Sequence, residues 1–196
     1  DKDGKLWVSA FDVESFIIDI RDYIVQKYPL PDLRNQLKAN PAINSLCKDE
    51  DGIFWFSQDR YGLCIYDSRK EKLKHYSQCQ GTRNLPFGDV TNIARSYNHN
   101  WIWATSYGPT VFGLSQQNME MKEDVRIELG NVTNNPGLIT SLFEDPQNNL
   151  WIGTTTGLFV YRIMSATLES IPEVSGPVAG ITQTADSRIW TVIRNK

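Results

Sequence analysis

The chain lacks the long apolar and long basic segments that mark two large classes of protein. No run approaches the roughly 18 apolar residues that a membrane-spanning helix needs. No cluster of Lys and Arg appears, and the formal net charge is −3 at pH 7. The electrostatic footprint of a nucleic-acid-binding protein is therefore missing, and we expect no nucleic-acid partner.

Cysteine and histidine are scarce, with three Cys and two His residues. The odd number of cysteines excludes a fully paired disulfide framework, and Cys47 and Cys64 lie in apolar, strand-like runs typical of buried free thiols. No CxxC or HxxxH spacing is present, so we expect no metal site and no cofactor. His75, in a predicted outer strand, and His99, in a predicted turn, are too isolated for acid–base chemistry. No GxSxG elbow occurs either, and we expect no catalytic residue in this chain.

Tryptophan, by contrast, is regularly repeated. Five of the six Trp residues follow a polar turn, and successive positions differ by 48, 48, 48 and 39 residues: Trp7, Trp55, Trp103, Trp151 and Trp190. An alternating segment begins 12 or 13 residues before each of the last four, at Ile43, Val90, Ile139 and Val178. Two markers that keep their offset through four copies indicate an internal structural repeat.

Each repeat has the pattern of four antiparallel strands. "ITSLFED" alternates apolar and polar residues, a turn with Asp-Gly or Asn-Asn follows, and the next strand carries the Trp. A Gly then marks a second hairpin, as at Gly62 and Gly157, before a third strand and a weaker fourth one. Within residues 12–38, "FIIDIRDYIVQKY" is interpreted as the remaining strands of the first repeat and "PDLRNQLK" as a short helical insertion.

This pattern predicts an all-β chain, a β-propeller segment of about four to five four-stranded antiparallel blades in an open, partial ring. Each Trp is expected to fill the gap between neighbouring sheets. Asp49, Asp51 and Asp145 recur at turns, where their side chains are expected to cap backbone amides. We expect a single domain over 1–196, with repeat units at approximately 1–42, 43–89, 90–138, 139–177 and, in part, 178–196.

The motif "ITSLFEDPQNNLWIGTTTGLFVY" resembles the two-component regulator propeller repeat. That repeat has an Ile-x-x-Leu strand, an Asp and Gly turn, a Leu-Trp-Ile-Gly-Thr strand and a Gly-Leu before an aromatic residue. Residues 139–161 match it best and residues 43–67 match well. Residues 90–112 match in part, because "NHNWIW" replaces the Asp-Gly turn, and residues 178–190 match weakly, with Ser187 in place of Gly.

The resemblance implies a periplasmic sensor region of a Bacteroidetes hybrid two-component system. In that family the sensor detects oligosaccharides released from glycans and controls polysaccharide-utilisation genes, and the parent protein is a membrane-anchored histidine kinase that acts as a dimer. The chain begins within a motif, at "DKDGKLW", and is interpreted as a piece of such a protein. It contains no kinase phosphoacceptor pattern and no ATP-binding Gly-rich loop, so we expect a binding module and not an enzyme.

Candidate ligand-binding residues lie in two kinds of loop that a propeller places at one end. Aromatic rings beside polar side chains suit a sugar ligand. The loops between second and third strands supply Arg60, Tyr61, Tyr107 and Thr156. The turns that precede first strands supply Asn84, Phe87 and Asn135.

Two other functions fit the same repeat. One is an enzyme, a propeller lyase that shares the "DGxxWF" core and would need a His, an acid and a metal at one end of the ring. The other is a protein-binding scaffold like the tryptophan-aspartate repeat propellers, although here no Asp follows the Trp. We also expect the isolated piece to self-associate through an exposed sheet face or edge.

Overall fold

The computed structural model describes antiparallel β-sheets in two compact units, Asp1–Ile93 and Ala94–Lys196. The described residues are 5–9, 15–28, 43–49, 51–58, 62–67, 69–76 and 90–194. The "PDLRNQLK" insertion and Cys79 lie outside them. Within these ranges no helix has the length and apolarity needed to cross a bilayer.

Unit 1 contains two sheets in which consecutive strands are neighbours. Sheet 1 consists of β1 (Lys5–Ser9), β2 (Ser15–Asp19) and β3 (Val25–Tyr28). Sheet 2 consists of β4 (Ile43–Lys48), β5 (Ile53–Gln58), β6 (Gly62–Asp67) and β7 (Lys72–Tyr76). The segment "FIIDIRDYIVQKY" supplies β2 and β3, as the sequence predicts.

Unit 2 contains three further sheets, and its boundary with unit 1 falls inside β8. Sheet 3 consists of β8 (Asn92–Arg95), β9 (Ile102–Thr105), β10 (Thr110–Gln117) and β11 (Glu120–Glu128). Sheet 4 consists of β12 (Ile139–Glu144), β13 (Asn149–Thr154), β14 (Gly157–Arg162) and β15 (Thr167–Ser175). Sheet 5 consists of β16 (Val178–Gln183) and β17 (Ile189–Ile193). The predicted all-β architecture of repeated four-stranded antiparallel sheets is confirmed.

Sheets 3 and 4 pack face to face around the indole of Trp103, which is fully buried on β9. Ile139, Leu150, Ile152 and Phe159 of sheet 4 belong to the same buried cluster. Burying a side chain of this size contributes about 2–3 kcal/mol to stability. Trp103 therefore has the predicted role of an apolar plate between neighbouring sheets.

Sheet 5 packs closely on sheet 4 at Gly153. A Cβ atom at this position would lie 2.7 Å from Val178 Cγ1 and 2.3 Å from Ser141 Oγ. The Thr140 hydroxyl also donates a hydrogen bond to the Val178 carbonyl. The glycine of the "LWIGT" motif thus lets two sheets approach each other, because any side chain there would push them apart.

Trp190 on β17 differs from its counterparts, since 57% of its surface is exposed. Val192 and Ile193 on the same strand are exposed as well. Among the described residues β17 pairs with β16 alone. The prediction that each recurring Trp fills a gap between sheets is therefore wrong for Trp190 in this chain.

The turn before the Trp-bearing strand has the same geometry in sheets 2, 4 and 5. In sheet 4 the backbone N–H of Asn148 donates to the Asp145 carbonyl at 3.2 Å, and Asn148 has a positive φ of 63°. Gly52 in sheet 2 and Ser187 in sheet 5 occupy the same position, with φ values of 80° and 64°. Ser187 thus adopts the left-handed conformation for which the repeat normally uses Gly.

Sheet 3 has a longer version of this turn. The N–H of Ser96 donates to the carbonyl of Trp101, five residues on, whereas Asp145 donates to Asn149, four residues on. The extra residue explains why the alternating segment of this repeat lies 13 residues before its Trp. It also leaves Ser96 at the position that Asp145 occupies in sheet 4.

Charged side chains crowd the outer strand of sheet 3. β11 forms one edge of the sheet and pairs with β10. Lys122 pairs with Asp124 at 2.5 Å, and Arg126 pairs with Glu123 at 2.8 Å. Two of the four carboxylates of this strand are therefore paired with its two cations.

Candidate ligand-binding surface

The connections at one end of sheets 3, 4 and 5 form a continuous surface. In an up-and-down sheet alternate connections lie at the same end, so the second-to-third hairpins and the links between sheets meet there. We call this the loop surface. Its residues are 106–109, 129–138, 155–156 and 176–177.

The link between sheets 3 and 4 is bonded first to the β9–β10 hairpin. It begins with a turn of 3₁₀ helix at Leu129–Asn131, and the Leu129 side chain is fully buried. The Leu129 N–H donates to the Pro109 carbonyl at 3.0 Å. This bond holds the start of the link against the hairpin that carries Tyr107.

The same link is then bonded to the β13–β14 hairpin. Thr155 N–H donates to the Leu138 carbonyl at 2.9 Å, and Leu138 N–H donates to Thr155 Oγ1 at 3.0 Å. The Thr156 hydroxyl donates to the Pro136 carbonyl at 2.8 Å. Gly137 has a φ of +73°, and a Cβ there would lie 2.5 Å from Thr155 Oγ1. The link is thus anchored at both ends to neighbouring hairpins.

Three of the predicted ligand-binding residues lie on this surface. Thr156 and Asn135 are brought together, since the Thr156 hydroxyl lies 3.3 Å from the Asn135 carbonyl oxygen. Tyr107 lies on the adjoining hairpin with 62% of its surface exposed. The remaining four are outside the described residues: Arg60, Tyr61, Asn84 and Phe87.

Sequence reasoning missed two exposed aliphatic residues on the link. Leu138 is 50% exposed and Val132 is 38% exposed. Their signal was present in the sequence, because each stands as an apolar residue within the polar stretch "GNVTNNPGL". The loop surface therefore combines an aromatic ring and two aliphatic side chains with amides and hydroxyls, a combination that suits small-molecule recognition.

The opposite end of the sheets is occupied by turns with a structural role. Asp145 Oδ2 accepts a hydrogen bond from the indole Nε1 of Trp151 at 2.8 Å, and Asp145 Oδ1 accepts one from Asn149 N–H. Asp49 makes the same pair of bonds with Trp55 and Ile53 in sheet 2. The expected capping role of these two aspartates is confirmed, and each also fixes the indole of its own repeat.

Burial sets the proton affinity of the Asp49 carboxyl. Desolvation raises its pKa above the ordinary value, although the bonds from Trp55 and Ile53 act in the opposite direction. Asp51 lies exposed in the same turn.

Trp103 has no aspartate in its own turn and uses a residue of the next sheet. Its Nε1 donates to Glu144 Oε2 at 2.5 Å, and Glu144 Oε1 accepts the Asn98 N–H at 3.3 Å. The Asn98 side chain also donates to Asn148 Oδ1 and to the Pro146 carbonyl. The turns of sheets 3 and 4 are thus tied together at the end opposite the loop surface.

The two histidines lie in a strand and in a turn. His75 lies on the outer strand β7, as predicted, but is half-buried instead of solvated. His99 lies in the predicted turn, where its ring packs against Trp101 with centroids 4.4 Å apart and a tilt of 34°, and its Nε2 is buried. The part of the chain that the structure describes holds no group of three or more His, Cys, Asp or Glu able to bind a metal ion.

The structure describes two of the three cysteines, Cys47 and Cys64. Cys64 is buried, and desolvation raises the pKa of its thiol. Cys47 is half-buried.

Comparisons with known proteins identify the repeat and the fold. Residues 135–156 match the family model described as two component regulator propeller. No curated protein sequence matches the chain. The match runs from Asn135 to Thr156, so it includes the last four residues of the link and the hairpin residues 155–156 bonded to them.

Solved structures with this fold include extracellular domains of putative hybrid two component systems. The extracellular domain of the putative hybrid two component system BT3049 from B. thetaiotaomicron has a TM-score of 0.69 at 22% identity, over 97% of this chain and 25% of that one. The corresponding domain of BT4673 has a TM-score of 0.64 at 19% identity, over 96% and 24%. The β-propeller domain of Cps50 (Swd1) from Myceliophteria thermophila has a TM-score of 0.67 at 11% identity, over 91% and 58%.

The chain spans about a quarter of the length of the two B. thetaiotaomicron domains. The likeness to all three structures extends across nearly the whole chain and shows the propeller fold. Together with the family match, it shows that the chain is a segment of β-propeller sheets that carries a two component regulator propeller repeat.

Proposed function

We propose that the chain is part of the extracytoplasmic, periplasmic sensor of a membrane-anchored hybrid two-component system, and that it binds oligosaccharides derived from glycans. Two observations support the assignment to a hybrid two-component sensor: the repeat at 135–156 and the fold shared with the BT3049 and BT4673 extracellular domains. The binding part is supported by the loop surface.

The exposed ring of Tyr107 carries the binding proposal. A tyrosine ring that is 62% exposed on a hairpin offers an apolar face to the C–H surface of a sugar. The link bonded to the same hairpin presents the exposed residues Asn134 and Asn135. Amides donate and accept hydrogen bonds, as the hydroxyl groups of a sugar do.

The hydrogen bonds of the link would couple ligand binding to the positions of two neighbouring hairpins. It is bonded to Pro109 on one hairpin and to Thr155 and Thr156 on the next. A ligand that contacts Tyr107 and the link together would bind one arrangement of the two hairpins more tightly than another. Such a difference in affinity is what biases a sensor between two states.

Thermal-shift screening of the full-length chain that carries these residues tests the proposal. A panel of oligosaccharides from plant, fungal and host glycans should contain at least one compound that raises the melting temperature with saturation. Tyr107→Ala should abolish this shift. A shift produced by a protein partner alone would favour the scaffold function and contradict the proposal, as would turnover of a substrate that is lost in His99→Ala.

A further inference from the structure

The loop surface carries no charged side chain among its own residues, and Arg194, whose N–H donates to the Pro177 carbonyl at 2.9 Å, borders it at sheet 5. Its residues in the described part of unit 2 are Ser-Tyr-Gly-Pro (106–109), Leu-Gly-Asn-Val-Thr-Asn-Asn-Pro-Gly-Leu (129–138), Thr-Thr (155–156) and Gly-Pro (176–177). Neither a cation nor a carboxylate occurs among them. The nearest acid along the chain, Glu128, accepts a hydrogen bond from Thr110 at 2.6 Å and lies 3.8 Å from the Arg126 guanidinium.

The opposite end of the same sheets has a different composition. Its turns carry Asp145 in sheet 4 and both Asp186 and Arg188 in sheet 5. The link and its two neighbouring hairpins, in sheets 3 and 4, are therefore the uncharged part of unit 2's connections, while Arg194 borders the loop surface at sheet 5.

The chemistry of the link and of the two hairpins bonded to it offers a charged ligand no partner of opposite charge. Sulfate, phosphate and uronate groups are held in proteins mostly by Arg and Lys, and cationic groups by carboxylates. Amides and hydroxyls prefer neither positive nor negative ligands. They suit sugar hydroxyl groups, which also both donate and accept hydrogen bonds. Tyr107, Val132 and Leu138 add exposed apolar surface, which favours the C–H faces of uncharged sugar rings.

We infer that the loop surface recognises a neutral oligosaccharide, one built from hexose or pentose units without uronate, sulfate or phosphate groups. The inference rests on the proposed function and narrows its ligand class. The ligand stacks on Tyr107 and forms hydrogen bonds with the amide side chains of the link.

The test is isothermal titration of the full-length chain with two matched sets of oligosaccharides. The neutral set contains cello-, xylo-, manno-, galacto- and malto-oligosaccharides, and the anionic set contains oligogalacturonates and sulfated heparin fragments of similar length. We expect a neutral compound to bind with an affinity that does not fall as salt is raised, because no ion pair contributes.

Two exposed tyrosines at opposite ends of sheet 3 provide the variant and its control. Tyr107→Ala should weaken binding of the neutral compound by about tenfold or more, as truncation of a central aromatic contact does. Tyr97 is 60% exposed but lies in the turn between β8 and β9, so Tyr97→Ala should leave the affinity unchanged.

The outcomes separate the inference from the proposed function. Binding of anionic compounds alone would overturn the neutral-ligand inference while the sensor function stood. Neutral binding that Tyr107→Ala does not weaken would overturn the assignment to the loop surface. If no compound of either set binds, the proposed oligosaccharide-sensing function itself fails.

Discussion

The indole of Trp103 in sheet 3 donates its hydrogen bond to Glu144, a residue of sheet 4, with Nε1 and Oε2 2.5 Å apart. Both side chains are buried. In the neighbouring repeats the acceptor is an aspartate of the same turn, as Asp145 is for Trp151. The bond that elsewhere closes a turn on itself here joins two sheets.

Removing this carboxylate should destabilise the fold measurably. In Glu144→Ala the Trp103 Nε1 and the Asn98 N–H lose their acceptor, and an unsatisfied buried donor costs about 1–3 kcal/mol. Glu144→Gln keeps an acceptor oxygen and should lose less. Urea denaturation of the three proteins gives the free energies of unfolding.

An exposed glutamate is the control for this experiment. Glu169 on β15 is paired with Arg162 at 3.3 Å on the surface. Such pairs contribute about 0–1 kcal/mol, so the free energy of unfolding of Glu169→Ala should be close to that of the wild type. A Glu144→Ala variant as stable as Glu169→Ala would show that the bond between the sheets adds no stability.

Glycine at position 153 should be required for the packing of sheet 5 on sheet 4. Gly153→Ala brings a Cβ to within 3 Å of Val178 and Ser141, and overpacking of this kind costs about 1–3 kcal/mol. Gly180→Ala is the matched control, because a Cβ at Gly180 meets no atom within 4 Å. Equal melting temperatures for the two variants would contradict the close approach of the sheets.

Asp67 should make the free energy of unfolding depend on pH in the acidic range. Burial alone would favour its protonated form, but hydrogen bonds from the backbone N–H groups of Arg69 and Lys70 hold the pKa of the carboxyl below its ordinary value. A lowered pKa stabilises the fold above the unfolded value of about 3.9, and the benefit is lost as the pH falls through the folded pKa. The difference in free energy of unfolding between wild type and Asp67→Asn should therefore be widest near neutral pH and narrow below about pH 4.

Asp49 provides a comparison of opposite sign. Its pKa is raised by burial, so its protonated form is favoured in the folded state. Relative to Asp49→Asn, the wild type should lose stability as the pH rises from about 4 through the folded pKa. If the free energies of unfolding of wild type and Asp49→Asn change in parallel with pH, the raised pKa of Asp49 is contradicted. The same result for wild type and Asp67→Asn would contradict the lowered pKa of Asp67.

Self-association of the isolated chain is expected to involve β17. Trp190, Val192 and Ile193 are exposed on that strand, and exposed apolar patches favour association. Light scattering after size exclusion should show a mass that rises with concentration for the wild type and falls towards that of a monomer for Trp190→Ser. Tyr23→Ser, at an exposed residue before β3, should behave as the wild type. Loss of association in Tyr23→Ser but not in Trp190→Ser would contradict the role of β17.

The sheets could be predicted from the sequence because the repeat ties each strand to a position relative to its Trp. Alternation and turn residues are local signals, so even the irregular first repeat yielded β2 and β3. The resemblance to the regulator propeller repeat is confirmed by the family match at 135–156.

Contacts between repeats could not be predicted in the same way. The bond from Trp103 to Glu144 joins residues 41 positions apart, and nothing in the local pattern assigns Glu144 to the preceding sheet. A hint existed, because Ser96 replaces the usual aspartate in that turn. Trp190 shows the converse, since its motif resembles those of Trp55 and Trp103 and yet its side chain is exposed.

The sequence predicted at which end of the sheets the candidate site lies, and it predicted three of the described residues there: Tyr107, Asn135 and Thr156. It did not predict that the Thr156 hydroxyl is directed at backbone carbonyls of the link. This position is set by the two-point anchoring of residues 129–138, a tertiary arrangement that depends on Gly137 and Thr155 together. Whether these residues bind a ligand stays a prediction.

The ion-paired side chains on β11 affect how copies of the chain could aggregate through the edge of sheet 3. A strand from another molecule that joined this edge would strip water from Lys122, Glu123, Asp124 and Arg126, whose side chains are already paired with one another. Fibril-like extension of sheet 3 is thereby disfavoured, and concentrated solutions should resist amyloid formation that starts from this strand.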